Sequence, residues 1–214
     1  MSRRLGAGDR LVLATHNAAK LGELETLLAP HGIAVVSSGA LGLAEPVEDG
    51  GSFAANARIK AHAAAAAARL PALADDSGLE VIGLDGAPGV HSARWAGPHK
   101  DFAMAMRRVR DRLAERFGDF AAADRRAAFV AALCLAWPDG HEELAEGRVE
   151  GLLIDPPRGT SGFGYDPMFV PQGHDRSFAE MPAAEKHALS HRDRALRALL
   201  ARCLPPRTQI RTPE

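Results

Sequence analysis

The pattern that decides the fold lies in residues 10–30, which read Arg-Leu-Val-Leu-Ala-Thr-His-Asn-Ala-Ala-Lys-Leu-Gly-Glu-Leu-Glu-Thr-Leu-Leu-Ala-Pro. Residues 10–15 are a short, mostly apolar run of the kind that forms a buried strand. Leucines then recur at helical spacing, at Leu21, Leu24 and Leu28, and Pro30 ends that pattern. A strand, a polar turn and a helix in this order predict the first unit of an α/β domain.

The same reasoning extends along the rest of the chain, where the apolar period changes repeatedly. We predict strands at residues 33–36, 73–74, 79–82, 127–137 and 141–154. We predict helices at residues 53–70, 101–117, 182–189 and 190–204. Ser52 is the expected N-cap of the first of these helices, and Ser190 is expected to form a capping box with Asp193. The turn Pro138-Asp139-Gly140 joins the two longest strands and is typical of a β-hairpin.

Domain organisation follows from what the chain lacks. The sequence contains neither an internal repeat nor a stretch that resembles a linker. We therefore expect one α/β domain with a mixed sheet over residues 10–204. Residues 1–9 are polar and contain glycine, and residues 205–214 begin with two prolines. We expect both segments to be loose tails.

Composition excludes several classes of protein. Of the 214 residues, 46 % are apolar, enough for a substantial core, so disorder is excluded. The 26 Lys plus Arg and 27 Asp plus Glu give a formal charge of −1, so we expect neither nucleic acid nor a membrane as a partner. Cys134 and Cys203 match no metal or redox spacing, and no apolar run could form a signal peptide or membrane span. We expect a soluble, cytoplasmic protein without a disulfide.

The first group of candidate functional residues is the turn Thr15-His16-Asn17-Ala18-Ala19-Lys20. If Asn17 is the N-cap, Lys20 is the third residue of the helix, where the helix dipole disfavours a cation. A bound phosphate would relieve this conflict, because backbone N–H groups, the Thr15 hydroxyl, the Asn17 amide and Lys20 would converge on it. The alternative is that Lys20 extends into solvent. On this reasoning, removal of Lys20 would slightly stabilise the unliganded protein.

The second group consists of carboxylates. Asp75-Asp76-Ser77-Gly78 follows a predicted strand, and Glu48 lies in a Gly-rich segment upstream. If the strand continues this far, the two adjacent aspartates point to opposite faces and at most one of them serves a given site. Carboxylates beside a phosphate site favour Mg²⁺, which takes one or two protein carboxylates together with phosphate oxygens and water. The alternative is a solvated turn rich in Asp.

Two further groups lie in the C-terminal half. The loop at residues 159–167 contains three glycines and two aromatic residues, Phe163 and Tyr165, in a chain that is only 5 % aromatic. Glycines allow a backbone to approach a ligand, and an exposed ring can stack on a base; the alternative is a tight turn whose rings pack into the core. Lys186 and Ser190-His191-Arg192 place donors near a helix start, or form an ordinary junction between helices.

Together these segments resemble the inosine triphosphate pyrophosphatase family. The motifs that carry the resemblance are Thr-His-Asn-Ala-Ala-Lys (15–20), Phe-Ala-Ala-Asn-Ala (53–57), Ala-Asp-Asp-Ser-Gly-Leu (74–79), Gly-Ala-Pro-Gly-Val-His-Ser-Ala-Arg (86–94), Gly-Phe-Gly-Tyr-Asp-Pro (162–167) and Ser-His-Arg (190–192). Their order and spacing cover residues 11–200. The resemblance implies hydrolysis of inosine, deoxyinosine and xanthosine triphosphates to monophosphate and pyrophosphate, which cleanses the nucleotide pool.

The resemblance also implies a role for each candidate residue. Thr15, His16, Asn17, Ala18, Ala19 and Lys20 match the turn that binds the triphosphate. Glu48 matches a magnesium carboxylate, Asp76 a metal contact and the proton acceptor, and Ser77 a substrate contact beside Asp75. Phe163, Gly164, Tyr165 and Asp166 match the loop that holds the base, Lys186 a substrate contact, and His191 with Arg192 the pair that reads the purine. Lys60 is an additional candidate for a phosphate contact.

The family resemblance further implies a homodimer, an elongated mixed sheet flanked by helices, and a central cleft between two lobes. In the expected mechanism, Mg²⁺ bound by Glu48 and Asp76 neutralises phosphate charge while Lys20 stabilises the leaving pyrophosphate. Asp76 would deprotonate the water that attacks the α-phosphorus.

Two positions depart from the family pattern, and two other functions stay open. His16 stands where Gly or Ser is common, and Ala55 stands where Glu usually precedes Asn56. One alternative is a nucleotide-binding regulatory module without turnover, against which the intact carboxylates argue. The other is a pyrophosphatase for modified pyrimidine triphosphates, although the motifs at 163–166 and 190–192 favour a purine.

Overall fold

A mixed sheet forms the centre of the protein in a computed structural model that describes residues 3–6 and 8–203. Its strands are β1 (Arg10–Leu13), β2 (Ala34–Ser37), β3 (Ala72–Val81), β4 (Arg126–Ala136), β5 (Glu142–Leu153) and β6 (Phe169–Pro171). The strand order is β2-β1-β3-β4-β5-β6. β1 pairs in parallel with β2 and β3, and the remaining neighbours are antiparallel. The predicted single α/β domain with a mixed sheet is therefore confirmed.

Helices cover both faces of this sheet. They are α1 (Ala18–Leu28), α2 (Phe53–Ala68), α3 (Ser92–Trp95), α4 (Phe102–Phe117), α5 (Ala183–Leu189) and α6 (His191–Cys203). The alanine-rich α2 packs against the even-numbered residues of β3 and β4, where small side chains meet small side chains. Alanine favours the helix and allows this close approach to the sheet. The other face carries α1, α4 and α6.

That second face holds two separate apolar clusters. One includes Leu113 and Phe169, and the other includes Leu24 and Leu199. Along β3 the residues that point to this face are Leu73 in one cluster, Leu79 in the other, and Asp75 and Ser77 between them. A row of polar side chains therefore separates two lobes of apolar packing, as the family resemblance implied.

The largest departure from the sequence prediction is in β3. We predicted two short strands around a turn at Asp75-Asp76-Ser77-Gly78, but β3 runs without a break through these residues and pairs with β4 at all ten positions. The turn prediction was wrong because Gly78 has a packing role. A Cβ there would overlap Ser92 Oγ and lie 2.5 Å from the carbonyl oxygen of Gly89. Glycine here permits close approach of the segment at residues 89–92.

The helix caps largely follow the sequence. Asn17 caps α1, Ser52 caps α2, and Pro138-Asp139-Gly140 joins β4 to β5 as a hairpin. The capping box at α6 is only half formed, since Ser190 Oγ accepts from the Asp193 backbone N–H but the Asp193 carboxylate pairs with Arg197. A cation one turn further along the helix competes for that carboxylate.

The N-terminal segment is not wholly loose. Within the described part of residues 1–9, Leu5 is only 2 % exposed, and its backbone N–H donates to the carbonyl of Cys203 at 2.7 Å. The apolar side chain joins the cluster around Leu24 and Leu199, which explains why this part of the expected tail is packed. The expected tail at residues 205–214 lies outside the described residues. Cys134 and Cys203 are buried and free.

Candidate active site

The turn between β1 and α1 has the capping geometry predicted from the sequence. Asn17 Oδ1 accepts from the backbone N–H groups of Ala19 at 3.0 Å and Lys20 at 3.3 Å. Thr15 Oγ1 accepts from the N–H of Asn17 at 3.2 Å. Ala18 and Ala19 are exposed at this helix start, so the N-terminus of α1 is open to an anion.

Lys20 does not extend into solvent as the alternative interpretation had it. Its Nζ lies 2.6 Å from Asp75 Oδ2, and its side chain is only 15 % exposed. The cation that conflicts with the helix dipole is stabilised by a fully buried carboxylate across the site. Lys20 therefore connects the turn to β3.

Asp76 and Glu48 converge on one ammonium group. Lys60 Nζ lies 3.0 Å from Glu48 Oε2 and 3.3 Å from Asp76 Oδ1, and Asn56 donates to Asp76 Oδ2 at 3.1 Å. Burial raises the pKa of Asp76 most strongly, and the neighbouring Glu48 raises it further, although Lys60 opposes both effects. Burial would lower the pKa of Lys60, but the carboxylates of Asp76 and Glu48 outweigh it and raise that pKa. A carboxylate with a raised pKa is suited to accept a proton.

Asp75 points to the opposite face of the sheet, as the strand geometry requires. It is paired with Arg192 Nε at 3.2 Å and with Lys20, and Ser77 Oγ donates to it at 3.1 Å. Burial opposes its ionisation, but the two cations outweigh burial and hold the pKa of Asp75 far below its usual range. The two adjacent aspartates therefore differ in their electrostatic surroundings, which lower the pKa of Asp75 and raise the pKa of Asp76.

The two aromatic residues of the glycine-rich loop lie in different surroundings. Phe163 is half-buried, and its ring lies beside two cations, with Lys186 Nζ 4.5 Å and Arg192 Cζ 5.9 Å from its centroid. Tyr165 is only 2 % exposed, its hydroxyl donates to the Ser92 carbonyl at 2.9 Å, and its ring packs on Phe102. The ring of Tyr165 therefore belongs to the core, and Phe163 is the one of the two aromatic residues that is left as a candidate for stacking on a base.

Asp166 orders this loop from within. Its Oδ2 accepts from the Phe163 backbone N–H at 2.8 Å and pairs with Lys186 Nζ at 2.7 Å. Burial raises the pKa of Asp166, against the effect of Lys186. Gly162 has φ +74°, and a Cβ at this residue would overlap the Asp166 carboxylate, so glycine is required here. Gly164, also at positive φ, lets the chain turn back toward Asp166.

The start of α6 places His191 and Arg192 at the polar row between the two lobes. The His191 ring stacks on Phe129 at 5.0 Å, and its Nδ1 has no hydrogen-bond partner among the described residues. Burial, reinforced by Arg192, lowers the pKa of His191 well below its ordinary value, so the ring is neutral. Arg192 is 2 % exposed and bonds to Asp75, Glu23 and Ser77.

Comparison with known proteins identifies the family. A model of the Ham1 family matches residues 11–202, nearly the whole chain. The chain belongs to the Ham1 family. A dITP/XTP pyrophosphatase of Rhodopseudomonas palustris is 59 % identical over 211 residues, which cover 95 % of this chain and 99 % of the relative. A dITP/XTP pyrophosphatase of Gluconobacter oxydans is 55 % identical over 209 residues and 98 % of each chain.

Solved structures of Ham1 proteins share the fold. A HAM1 protein from Coxiella burnetii matches with a TM-score of 0.82 at 37 % identity, covering 90 % of this chain and 97 % of that one. A nucleoside-triphosphatase / dITP/XTP pyrophosphatase from Mycobacterium abscessus matches with a TM-score of 0.71 at 42 % identity, covering 89 % of this chain and 98 % of that one. No helix within residues 3–6 and 8–203 combines the length and apolar character needed to cross a bilayer.

Three residues of this Ham1 site were missed at the level of sequence. Glu23 is 7 % exposed on the inward side of α1 and contacts Arg192 and Lys186. Asn56 holds Asp76, and Arg94 donates to the Glu48 carbonyl at 2.7 Å. The sequence did contain a signal for Glu23. This residue lies on the buried side of α1 together with Leu24 and Leu28, and a charged group that is buried there needs a partner.

The carboxylates of this Ham1 chain fit a hard divalent cation. Among the described residues there is no cluster of three or more His, Cys, Asp or Glu side chains arranged for a metal. Glu48 and Asp76 nevertheless approach the same cationic group from two sides, and one edge of Glu48 is open to solvent, with a side chain 27 % exposed. Two carboxylates completed by phosphate oxygens and water are the donor set that Mg²⁺ prefers.

Proposed function

We propose that this chain hydrolyses the non-standard purine nucleoside triphosphates ITP, dITP and XTP to the monophosphate and pyrophosphate, and so cleanses the nucleotide pool. The carrying observation is that three of the four groups found separately in the sequence, namely the turn at residues 15–20, the carboxylates and the start of α6, are joined through two adjacent residues. Asp75 contacts Lys20, in the turn expected to bind the triphosphate, and Arg192, in the pair of residues expected to read the purine. Asp76 contacts Lys60, which in turn contacts Glu48. The naming of close relatives as dITP/XTP pyrophosphatases supports the same substrate class.

The triphosphate is assigned to the open start of α1. The N–H groups there and the positive end of the helix dipole favour an anion. Lys20 lies at the inner edge of this turn, where exchange of one Asp75 contact for a phosphate oxygen would place its charge on the leaving pyrophosphate. Lys60, between Asp76 and Glu48, is a second cation within reach of the phosphates.

Glu48 and Asp76 are the residues assigned to hold Mg²⁺. When bound there, the ion supplies charge neutralisation at the phosphate oxygens. Arg94 anchors the Glu48 backbone, Lys60 contacts the Glu48 carboxylate, and Asn56 anchors the Asp76 side chain. Ala55, where relatives usually carry Glu, adds no third carboxylate to this pair.

Asp76 is assigned the role of general base. The oxygen of a water molecule forms a bond to the α-phosphorus, the bond from that phosphorus to the bridging oxygen of pyrophosphate breaks, and the water proton passes to Asp76. The raised pKa of Asp76 suits this transfer, because a base with a pKa closer to neutrality accepts a proton more readily.

The base is assigned to the space beside Phe163. A purine stacked on this ring would meet the Lys186 and Arg192 cations, which donate hydrogen bonds to the 6-oxo group of hypoxanthine or xanthine. The 6-amino group of adenine would set donor against donor, and a buried donor without a partner is costly. Ser77 on β3 lies at the same place, since its hydroxyl accepts a hydrogen bond from Arg192.

A homodimer and a cytoplasmic location complete the proposal. The homodimer rests on the family resemblance, and the location rests on the cysteine pattern, which is typical of a reducing compartment. The oligomeric state is measured directly by sedimentation equilibrium of the purified protein over a range of concentrations.

One assay tests the proposed activity. Pyrophosphate release from ITP, dITP, XTP, ATP, GTP and dUTP is measured with and without Mg²⁺. We expect Mg²⁺-dependent release from the first three substrates, with monophosphate as the other product. Binding of ITP without release would favour the regulatory module, and preferential release from dUTP would favour the pyrimidine enzyme.

A further inference from the structure

Glu23 joins the two cations assigned to the base. The Glu23 carboxylate on α1 uses Oε1 for Lys186 Nζ at 3.3 Å and Oε2 for a hydrogen bond from an Arg192 terminal nitrogen. His187 Nε2 lies 3.6 Å from Oε1. The side chain is only 8 % exposed, so these contacts form in a medium where charge is expensive to leave unpaired.

We propose that Glu23 is a positioning residue for recognition of the base, which acts through Lys186 and Arg192 without touching substrate. This inference rests on the proposed function, since it concerns the same site. It adds a specificity residue on α1, an element otherwise assigned only to the triphosphate.

Three of the hydrogen-bond donors of Arg192 are already used by neighbouring side chains. A guanidinium group has five N–H donors in a rigid plane. Nε bonds to Asp75 at 3.2 Å, one terminal nitrogen bonds to Glu23, and the other bonds to Ser77 Oγ at 2.9 Å. These three contacts use one hydrogen on each nitrogen and leave one hydrogen on each terminal nitrogen. Glu23 and Asp75 therefore fix the plane of the group and the direction of the donors that remain.

Lys186 is held in the same way. Its Nζ is shared between Asp166 Oδ2 at 2.7 Å and Glu23 Oε1 at 3.3 Å. These contacts keep the ammonium 4.5 Å from the centroid of the Phe163 ring. Asp166 also accepts from the Phe163 backbone N–H, so the ring, the ammonium and Glu23 belong to one connected set. Loss of Glu23 would remove one contact from each of the two cations, whereas loss of Asp166 would remove a contact from Lys186 alone.

The charges along this path alternate. The order is Lys20, Asp75, Arg192, Glu23, Lys186 and Asp166, so three cations meet three carboxylates. Removal of the Glu23 charge leaves an excess positive charge in the site. That excess would attract phosphate rather than repel it, so a loss of base recognition and a loss of triphosphate binding can be separated.

The test compares Glu23→Gln with Glu25→Gln, a matched control on the exposed side of the same helix. Dissociation constants are measured by calorimetry for ITP and for inorganic tripolyphosphate, which has no base. For Glu23→Gln we expect ITP to bind about tenfold more weakly or worse, with tripolyphosphate binding unchanged or tighter. For Glu25→Gln we expect both constants to match wild type. Glu23→Asp keeps the charge on a shorter side chain, and we expect it to recover part of the ITP affinity.

Kinetics provides a second readout. The kcat/KM ratio of ITP to ATP should fall in Glu23→Gln because ITP activity drops more than residual ATP activity. Equal weakening of ITP and tripolyphosphate, an unchanged ratio, or failure of Glu23→Asp to recover any affinity in a protein with wild-type melting temperature would overturn the inference. Absence of pyrophosphate release by the wild type would instead contradict the proposed function. The comparison of ITP binding with tripolyphosphate binding would still test the role of Glu23 in base recognition.

Discussion

At the scale of single residues, the site depends on two adjacent aspartates whose side chains face opposite sides of the sheet and have different partners. Asp75 is surrounded by Arg192, Lys20 and Ser77, and its pKa is far below the usual range. Asp76 faces Asn56 and Lys60, and burial raises its pKa. Asp75 therefore holds two cations in place, and Asp76 is the residue that we propose as the general base.

Substitution of Asp76 by Asn removes a charged metal contact and the base without a change in volume. We expect kcat at saturating Mg²⁺ to fall by about 10²–10⁴-fold, with an unchanged circular dichroism spectrum. Asp49→Asn, an exposed neighbour of Glu48, is the control and should keep wild-type kcat. A purified Asp76→Asn enzyme with more than a tenth of wild-type kcat would contradict the assignment.

Lys20→Ala should destabilise the unliganded protein, which reverses the sign expected from the helix dipole alone. The buried Asp75 would lose its contact at 2.6 Å and keep only Arg192 as a charged partner. We expect the free energy of unfolding in urea to fall by about 1–3 kcal/mol. Lys100→Ala removes an exposed lysine and should leave it unchanged. Equal or greater stability of Lys20→Ala would mean that the dipole term dominates.

The residue types of the site were predictable from sequence, but their partners were not. Lys20, Asp75, Arg192 and Lys186 were each singled out because a charge near a strand end or helix start is rare without a reason. The sequence could not show that Lys20 and Arg192 both pair with Asp75, across 55 and 117 positions of chain, since only the packing of α1 and α6 on the same face of the sheet brings them together. Glu23 was missed for the same reason.

At the scale of elements, the position of α6 on the sheet controls where Arg192 lies. Gly147 on β5 faces the first turn of α6, and a Cβ there would overlap the His191 carbonyl oxygen and crowd the Ala195 backbone nitrogen. The first turn of α6 therefore packs directly against the backbone of β5 at Gly147. β5 contributes Ala145 to one lobe and Val149 to the other, with this contact between them.

Gly147→Ala should displace α6 and disturb the donors of Arg192. We expect a loss of about 1–3 kcal/mol in the free energy of unfolding, because overpacked contacts force the backbone to move, together with a higher KM for ITP. Gly22→Ala is the control. Gly22 lies within α1 with nothing near its Cβ position, so alanine should stabilise the protein by about 0.5–1 kcal/mol.

The start of α6 also gives the protein a pH-dependent stability. Burial lowers the pKa of His191 in the folded state well below 6.5, whereas the unfolded chain binds a proton near that pH. The unfolded state therefore binds more protons as pH falls below 6.5, and the stability that His191 contributes above that pH is lost. Between pH 7.5 and 5.5 we expect the free energy of unfolding in urea to fall by about 1.4 kcal/mol less in His191→Gln than in the wild type. His174→Gln, at an exposed site, should keep the wild-type decline.

Element types were predicted better than element limits. The order of the longer strands and helices followed from the alternation of apolar periods, whereas the short elements α3 and β6 were not predicted. Asn17, Ser52 and the β4–β5 turn were placed by their capping and turn chemistry. β3 was divided in two because Asp, Ser and Gly are typical of turns. The paired strand β4 and the segment at residues 89–92 decide otherwise, and neither contact is local in sequence.

At the scale of the whole molecule, the two lobes share three strands. β3, β4 and β5 each contribute side chains to both apolar clusters on the α6 face. Neither cluster can lose its packing without exposing strands that support the other. We therefore expect the lobes to unfold together.

The two tryptophans of the chain report on the two lobes separately. Trp95 packs against the cluster around Leu113, and Trp137 lies in the cluster around Leu24. Fluorescence of Trp95→Phe follows the second lobe during urea unfolding, and fluorescence of Trp137→Phe follows the first. In each variant we expect the fluorescence midpoint to coincide with the midpoint measured by far-UV circular dichroism. A fluorescence transition that precedes the circular dichroism transition would show that a lobe unfolds alone.

Because β3 pairs with β4 without interruption, the site is sensitive to any insertion or deletion that shifts the register of the two strands. Asp75 stands opposite Leu133 and Asp76 opposite Ala132. Because side chains alternate between faces, a slip by one residue would move Asp76 to the side of Arg192 and leave Lys60 without its buried carboxylate. Insertion or deletion of one codon between residues 72 and 76 would have the same effect, whereas the exposed loop at residues 39–46 can vary in length. In this stretch of gene, the number of residues matters as much as their identity.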